Sequence, residues 1–195
     1  MIIILNKFIL KNIIILSFTL LFCCKGPVNV INNYSEFESI IVINEINYHS
    51  HDNFNTEDWI ELYNNGDNSI DIGNWILMDQ NGSNKYYIPQ GTLINPNNYI
   101  ILAQDFELFN GIHGEIENII GNIGFGFSSS GDIIRLFNSE NELVDIVEYE
   151  DDFPWPNEPD GNGPTLELID PYSDNNNPLN WSASNSNGSP GSKNN

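Results

Sequence analysis

The stretch Ile40-Ile41-Val42-Ile43-Asn44-Glu45-Ile46, followed after a polar loop by Trp59-Ile60-Glu61-Leu62-Tyr63, decides the fold class. Both runs are short, rich in β-branched and aromatic side chains, and bounded by turn-forming Asn, Asp and Ser, which is how strands read. Working outward, the same texture returns at Trp75-Ile76-Leu77-Met78, Lys85-Tyr86-Tyr87-Ile88 and Tyr99-Ile100-Ile101-Leu102-Ala103. It returns again at Ile133-Ile134-Arg135-Leu136-Phe137, at 143–149 and at Thr165-Leu166-Glu167-Leu168-Ile169. No window beyond the first residues holds a sustained helical period, and Gln104 to Phe109 has room for a single turn. Asn65-Gly66, Asn81-Gly82 and Asn110-Gly111 predict turns that use positive φ. Ser139-Glu140-Asn141-Glu142 joins two apolar runs at hairpin distance. About eight short strands with regular turns predict an all-β chain folded as an antiparallel two-sheet sandwich.

The first 24 residues read differently. Lys7 and Lys11 precede an apolar stretch from Ile13 to Phe22 that ends in Cys23-Cys24. That stretch is too short to span a bilayer, which takes ~20 apolar residues, and it has the order of an export signal. Leu20-Leu21-Phe22-Cys23-Cys24 resembles a bacterial lipoprotein signal. Cys24, with Leu21 three places upstream and the small Cys23 before it, is the candidate for lipidation. No cysteine follows it, so the exported part relies on its core and not on disulfides. Residues 1–24 are therefore assigned to the signal segment and 25–39, polar and aperiodic, to a tether.

Several segments together resemble the lamin-tail domain family, in the family's order. They are Ile43-Asn44-Glu45-Ile46, Trp59-Ile60-Glu61-Leu62-Tyr63-Asn64, Ile70-Asp71-Ile72-Gly73-Asn74-Trp75 and Ile88-Pro89-Gln90-Gly91-Thr92. Pro96-Asn97-Asn98-Tyr99, Ser130-Gly131-Asp132-Ile133, Leu143-Val144-Asp145 and Phe153-Pro154-Trp155-Pro156 continue the series. Pro164-Thr165-Leu166-Glu167-Leu168, Asn180-Trp181 and Gly188-Ser189-Pro190-Gly191 close it. The resemblance covers 40–195 and implies an immunoglobulin-like β-sandwich. It also implies that the polar C-terminal stretch closes the domain, although its composition alone would read as a tail. The family carries no catalytic residue set, so the resemblance implies a non-catalytic interaction module.

Charge bounds the partners. Six Lys and Arg stand against 27 Asp and Glu, a formal charge of −21, and the exported part is more acidic still, since Lys7 and Lys11 leave with the signal. Phosphate recognition rests on cationic side chains, so no nucleic-acid partner is expected. The expected partners are the membrane, through the N-terminal lipid, and a protein or polysaccharide at the envelope.

Three constellations invite a site. Asp151 and Asp152, beside Glu150, and Asp170 and Asp174 offer hard oxygen ligands in loops, making calcium the candidate ion, though none fits an EF-hand loop; solvated turns explain them equally. Trp155, between two prolines, is the candidate exposed aromatic of a binding surface; Trp59, Trp75 and Trp181 read as packing. His49, His51, Asp52, Glu57 and Asp58 have ligand atoms without a metal-site spacing, and a loop would carry such residues anyway. Nothing converges on catalysis: no nucleophile elbow, no phosphate loop and no exported thiol are present. Glu45 and Glu61, in separate strands, are the pair that a hydrolase would use, but such strand residues more often face solvent or accept structural hydrogen bonds. The expected function is a non-catalytic binding, adhesion or scaffolding lipoprotein of the bacterial cell envelope. A carbohydrate-binding accessory module or cryptic hydrolase is the alternative.

Overall fold

A computed structural model describes residues 40–195. The signal segment, Cys24 and the tether lie outside the described residues. Twelve strands form among the described residues. A six-stranded sheet contains β1 (Ile41–Asn47), β2 (Trp59–Asn64), β7 (Tyr99–Ala103), β8 (Ile119–Ile120), β11 (Leu166–Leu168) and β12 (Trp181–Ala183), in the order β12-β11-β1-β2-β7-β8. A four-stranded sheet contains β4 (Ile76–Met78), β5 (Lys85–Tyr87), β9 (Asp132–Phe137) and β10 (Leu143–Tyr149), in the order β10-β9-β4-β5. The short strands β3 (Ile70–Asp71) and β6 (Leu93–Ile94) pair separately. The result is an immunoglobulin-like sandwich. Ile43, Ile46, Ile60, Leu62, Leu102, Leu166 and Leu168 of the larger sheet share one core with Leu77, Ile134, Leu136, Val147 and Tyr149 of the smaller.

The larger sheet is buried on its outer face as well, so every residue of β1 and β2 is shielded from solvent. Two elements cover that face. The first is α1 (Phe106–His113), capped by Asp105, whose side chain accepts from Leu108 N at 2.9 Å. It seats Phe109 edge-on against Trp59 at 5.5 Å, closing a small cluster with Ile101 and Ala103. The second is the C-terminal segment beyond β12, which crosses β1, β2 and β11.

Three local expectations are corrected. The helical turn after Gln104 is a two-turn helix, because Phe109 has an apolar face of the sheet to bury against. It carries the chain to β8, which pairs with β7 in parallel, so the sandwich is not wholly antiparallel. Asn110-Gly111 lies inside that helix, and neither Gly66 nor Gly82 has positive φ. The Asn side chains turn the chain at those two places: Asn64 Oδ1 accepts from Gly66 N at 2.9 Å and Asn81 Oδ1 from Ser83 N at 3.2 Å. Left-handed backbone falls on Asn74, Asn97, Asn122 and Asn141, and Asn141 makes the expected β9–β10 hairpin turn. Asn tolerates that conformation without a following Gly. No helix among the described residues is long and apolar enough to cross a membrane.

Candidate functional site: three buried glutamates under a C-terminal clasp

Strand register assembles the site. Glu45 of β1 sits opposite Glu61 of β2 on one side and Glu167 of β11 on the other. Neighbouring strands lie ~4.8 Å apart, so the three side chains form one row across the outer face of the sheet. A bulge between Ile43 and Glu45 makes the row possible. The extra residue, Asn44, lets Ile43 and Ile46 both point into the core while Glu45 points out. Its own side chain joins the row, Nδ2 donating to Glu61 Oε1 at 2.9 Å.

All three glutamates are 0% exposed, because residues 188–195 lie across them. Ser189 N donates to Glu45 Oε1 at 3.0 Å, and Ser189 Oγ to Glu167 Oε1 at 2.6 Å. Gly191 N donates to Glu61 Oε2 at 2.6 Å and Asn195 N to Glu167 Oε2 at 3.1 Å. Asn194 Nδ2 reaches the carbonyls of Asn44 and Leu168 at 3.0 and 2.9 Å. Thr165 Oγ1 supplies a second donor to Glu45 Oε1 at 2.6 Å, and Glu45 Oε2 has no partner. Gly188, at φ +92°, passes so close to Glu45 Oε1 that a Cβ there would stand 2.4 Å from it. Burial first of all pushes the Glu45 carboxyl up to about 8, and raises Glu61 well above the carboxylate range with help from the charge on Glu45.

Two further acids, Asp145 buried and Asp58 half-buried, tie the sheets and loops together. Asp145 of β10 accepts from Ile43 N of β1 at 2.6 Å and from Asn175 Nδ2 at 2.8 Å through Oδ2, and from Ile146 N at 2.9 Å through Oδ1. Burial raises it to about 6. Asp58 accepts from Phe127 N at 2.6 Å, and burial raises it to about 7. These acids receive bonds from the chain's own backbone and amides. The Glu45–Glu61 pair, which the hydrolase reading would use, is sealed from solvent in the same way. A cavity of about 800 Å³ beside α1 is lined by Phe106, Glu107, Asn110, Glu115, Ile116 and Glu117, so it holds neither that pair nor Trp155.

The residues that the sequence offered as candidates are scattered over the molecule. Trp155 is corrected: it is 6% exposed, packed at 5.9 Å against Trp181, so it presents no indole to a ligand. The loop folds back on itself, with Trp155 N donating to Asp152 O, and the large apolar area of the ring is worth more inside than outside. Asp152, Asp170 and Asp174 cap their own turns, accepting from Phe153 N, Tyr172 N and Asn176 N at 2.8, 3.0 and 3.0 Å. Among the described residues no three His, Cys, Asp or Glu side chains are grouped so as to hold a metal ion, Asp151 included. His49 pairs with Asp160 at 2.5 Å and His51 caps the turn Asp52–Phe54, so that loop does not converge either. Sequence reasoning missed the third glutamate and the clasp as one unit. The signal was present, since Glu45, Glu61, Glu167 and Ser189 each fall in a segment that resembles the family, but their meeting is a matter of register.

The family model for the Lamin Tail Domain matches residues 37–151. No curated protein matches the chain. The matched region supplies Glu45 and Glu61; Glu167 and the clasp come from the part beyond it.

Proposed function

The chain belongs to the lamin tail domain family, and on that premise we propose that it is a binding or scaffolding module, held at a bacterial envelope by a lipid on Cys24. The family is one of non-catalytic immunoglobulin-like modules. What carries the reading is the use made of the buried acids. Glu45, Glu61, Glu167 and Asp145 accept hydrogen bonds from the chain's own groups, so the polar signature maintains the fold and leaves recognition to surface loops and sheet edges. Phe153 at 89% and Leu179 at 75% exposure are the most prominent apolar side chains there. Stable attachment requires the several acyl chains of a bacterial lipoprotein, because one chain anchors only marginally. The reading makes Cys24→Ala release the chain from the membrane fraction and abolish acyl labelling. A wild-type chain that carries no acyl group overturns the anchor. For the module, photo-crosslinking groups at positions 153 and 179 are expected to yield discrete adducts in cells; their absence at both overturns a partner on that surface.

A further inference from the structure

We infer that residues 188–195 form a proton-linked clasp, closed on the glutamate row when Glu45 carries a proton and opened as rising pH removes it. The contacts that hold the segment down are chiefly hydrogen bonds. Gly188-Ser189-Pro190-Gly191-Ser192-Lys193-Asn194-Asn195 contributes no large apolar side chain. Its attachment runs through Ser189, Gly191, Asn194 and Asn195. Segments held this way open at far lower cost than the core.

Lone-pair accounting then locates the proton. Glu61 receives donors at both oxygens, Asn44 Nδ2 at Oε1 and Gly191 N at Oε2. Glu167 also receives donors at both, Ser189 Oγ at Oε1 and Asn195 N at Oε2. A proton on either acid would be set against a donor. Glu45 receives both of its donors at Oε1, leaving Oε2 buried and unpartnered. An unpartnered buried hydroxyl costs far less than an unpartnered anionic oxygen. Glu45 is thus the member whose geometry accommodates the proton.

The surroundings offer no substitute for that proton. On β2 and β7 the titratable neighbours are Tyr63 and Tyr99, both raised by burial, and Glu61 adds to the rise at Tyr99. Beside the clasp, Ile116 packs on Gly191 between Glu115 and Glu117. The clasp itself brings Lys193, which is exposed. The ion pair found among the described residues, His49 with Asp160, is elsewhere. Opening hydrates the row and returns its acids to ordinary behaviour, so the closed state binds more protons than the open one at neutral pH. By linkage, one such proton raises the opening constant up to ~10-fold per pH unit. The window runs from the ordinary Glu value to about 8, where Glu45 is ionised in the closed state too. This holds wherever the chain resides and does not depend on the lipid anchor.

The test is amide hydrogen exchange of the full chain from pH 5 to 8, with rates corrected for intrinsic exchange. Protection of the Ser189 and Gly191 amides is expected to fall by up to ~10-fold per pH unit, relative to Ile101 N, which donates to Asn118 O in the sheet. In Glu45→Gln the amide oxygen keeps both donors and position 45 is neutral at every pH, so the differential slope is expected to fall by the share that Glu45 carries. Carbon-13 carboxyl shifts of the wild-type chain supply a readout that needs no variant: at pH 6 Glu45 should read as a neutral acid. A Glu45 signal already ionised at pH 6 would overturn the proposal. So would a clasp whose protection relative to the sheet ignores pH, or a slope unchanged in Glu45→Gln.

Discussion

Replacing Asp145 by Ala tests the junction between the sheets most directly. Its Oδ2 takes the Ile43 N–H of β1 and the Asn175 amide at 2.6 and 2.8 Å. Asn175 in turn donates to Ile43 O at 3.3 Å, and its carbonyl accepts Trp181 Nε1 at 2.7 Å, so one carboxylate holds two sheets and the C-terminal loop in register. Ala leaves two buried donors without an acceptor, each costing about 1–3 kcal/mol. The sum, about 2–6 kcal/mol, approaches the whole stability of an ordinary domain, ~5–15 kcal/mol. With a urea slope of ~2 kcal/mol/M, the midpoint should fall by about 1–3 M. Asn175→Ala and the double variant complete a cycle, and contact predicts a coupling of ~0.5–3 kcal/mol. Asp145→Asn keeps one acceptor oxygen and should lose roughly half as much. A shift below ~0.5 M for Asp145→Ala, or costs that simply add in the double variant, would refute the reasoning.

Three other outcomes are expected. Glu45, Asp58 and Asp145 are raised by burial to about 8, 7 and 6; acids raised on folding stabilise fully below their unfolded values and lose that contribution as pH rises through the folded ones. The urea midpoint should therefore be higher at pH 5 than at pH 9, and the opposite order would count against burial as the cause. Trp155→Ala should cost ~3–5 kcal/mol by equilibrium unfolding, as loss of a core ring does; a cost under ~1 kcal/mol would return Trp155 to the surface. Adding millimolar Ca²⁺ in place of EDTA should move the melting midpoint by less than ~1 °C, since a saturated site contributes ~2.7 kcal/mol and shifts it by several degrees. A shift of that size would make Asp151, Asp152, Asp170 and Asp174 a site after all.

Strand content and the sandwich were legible because they depend on local quantities. β-branched runs and their length read as strands without knowledge of any partner, and two-residue alternation places Ile60 with Leu62 and Leu166 with Leu168; Ile43 and Ile46, three apart, share a face only through the bulge at Asn44. The same local reading failed at Asn110-Gly111, where an apolar surface for Phe109 outweighed turn propensity. It failed again at Trp155, whose exposure depends on where Trp181 arrives.

The sequence by itself determined that this chain is a β-sandwich with three glutamates in its strands and a small-residue C-terminus. Only the tertiary structure decided that these belong together. Ser189 meets Glu45 across 144 positions, and Gly191 meets Glu61 across 130. A one-residue change of register would send each glutamate to the opposite face. Register is set by the bulge at Asn44 and by pairing between distant strands. No local propensity encodes that, and it alone turns three isolated acids into one buried row.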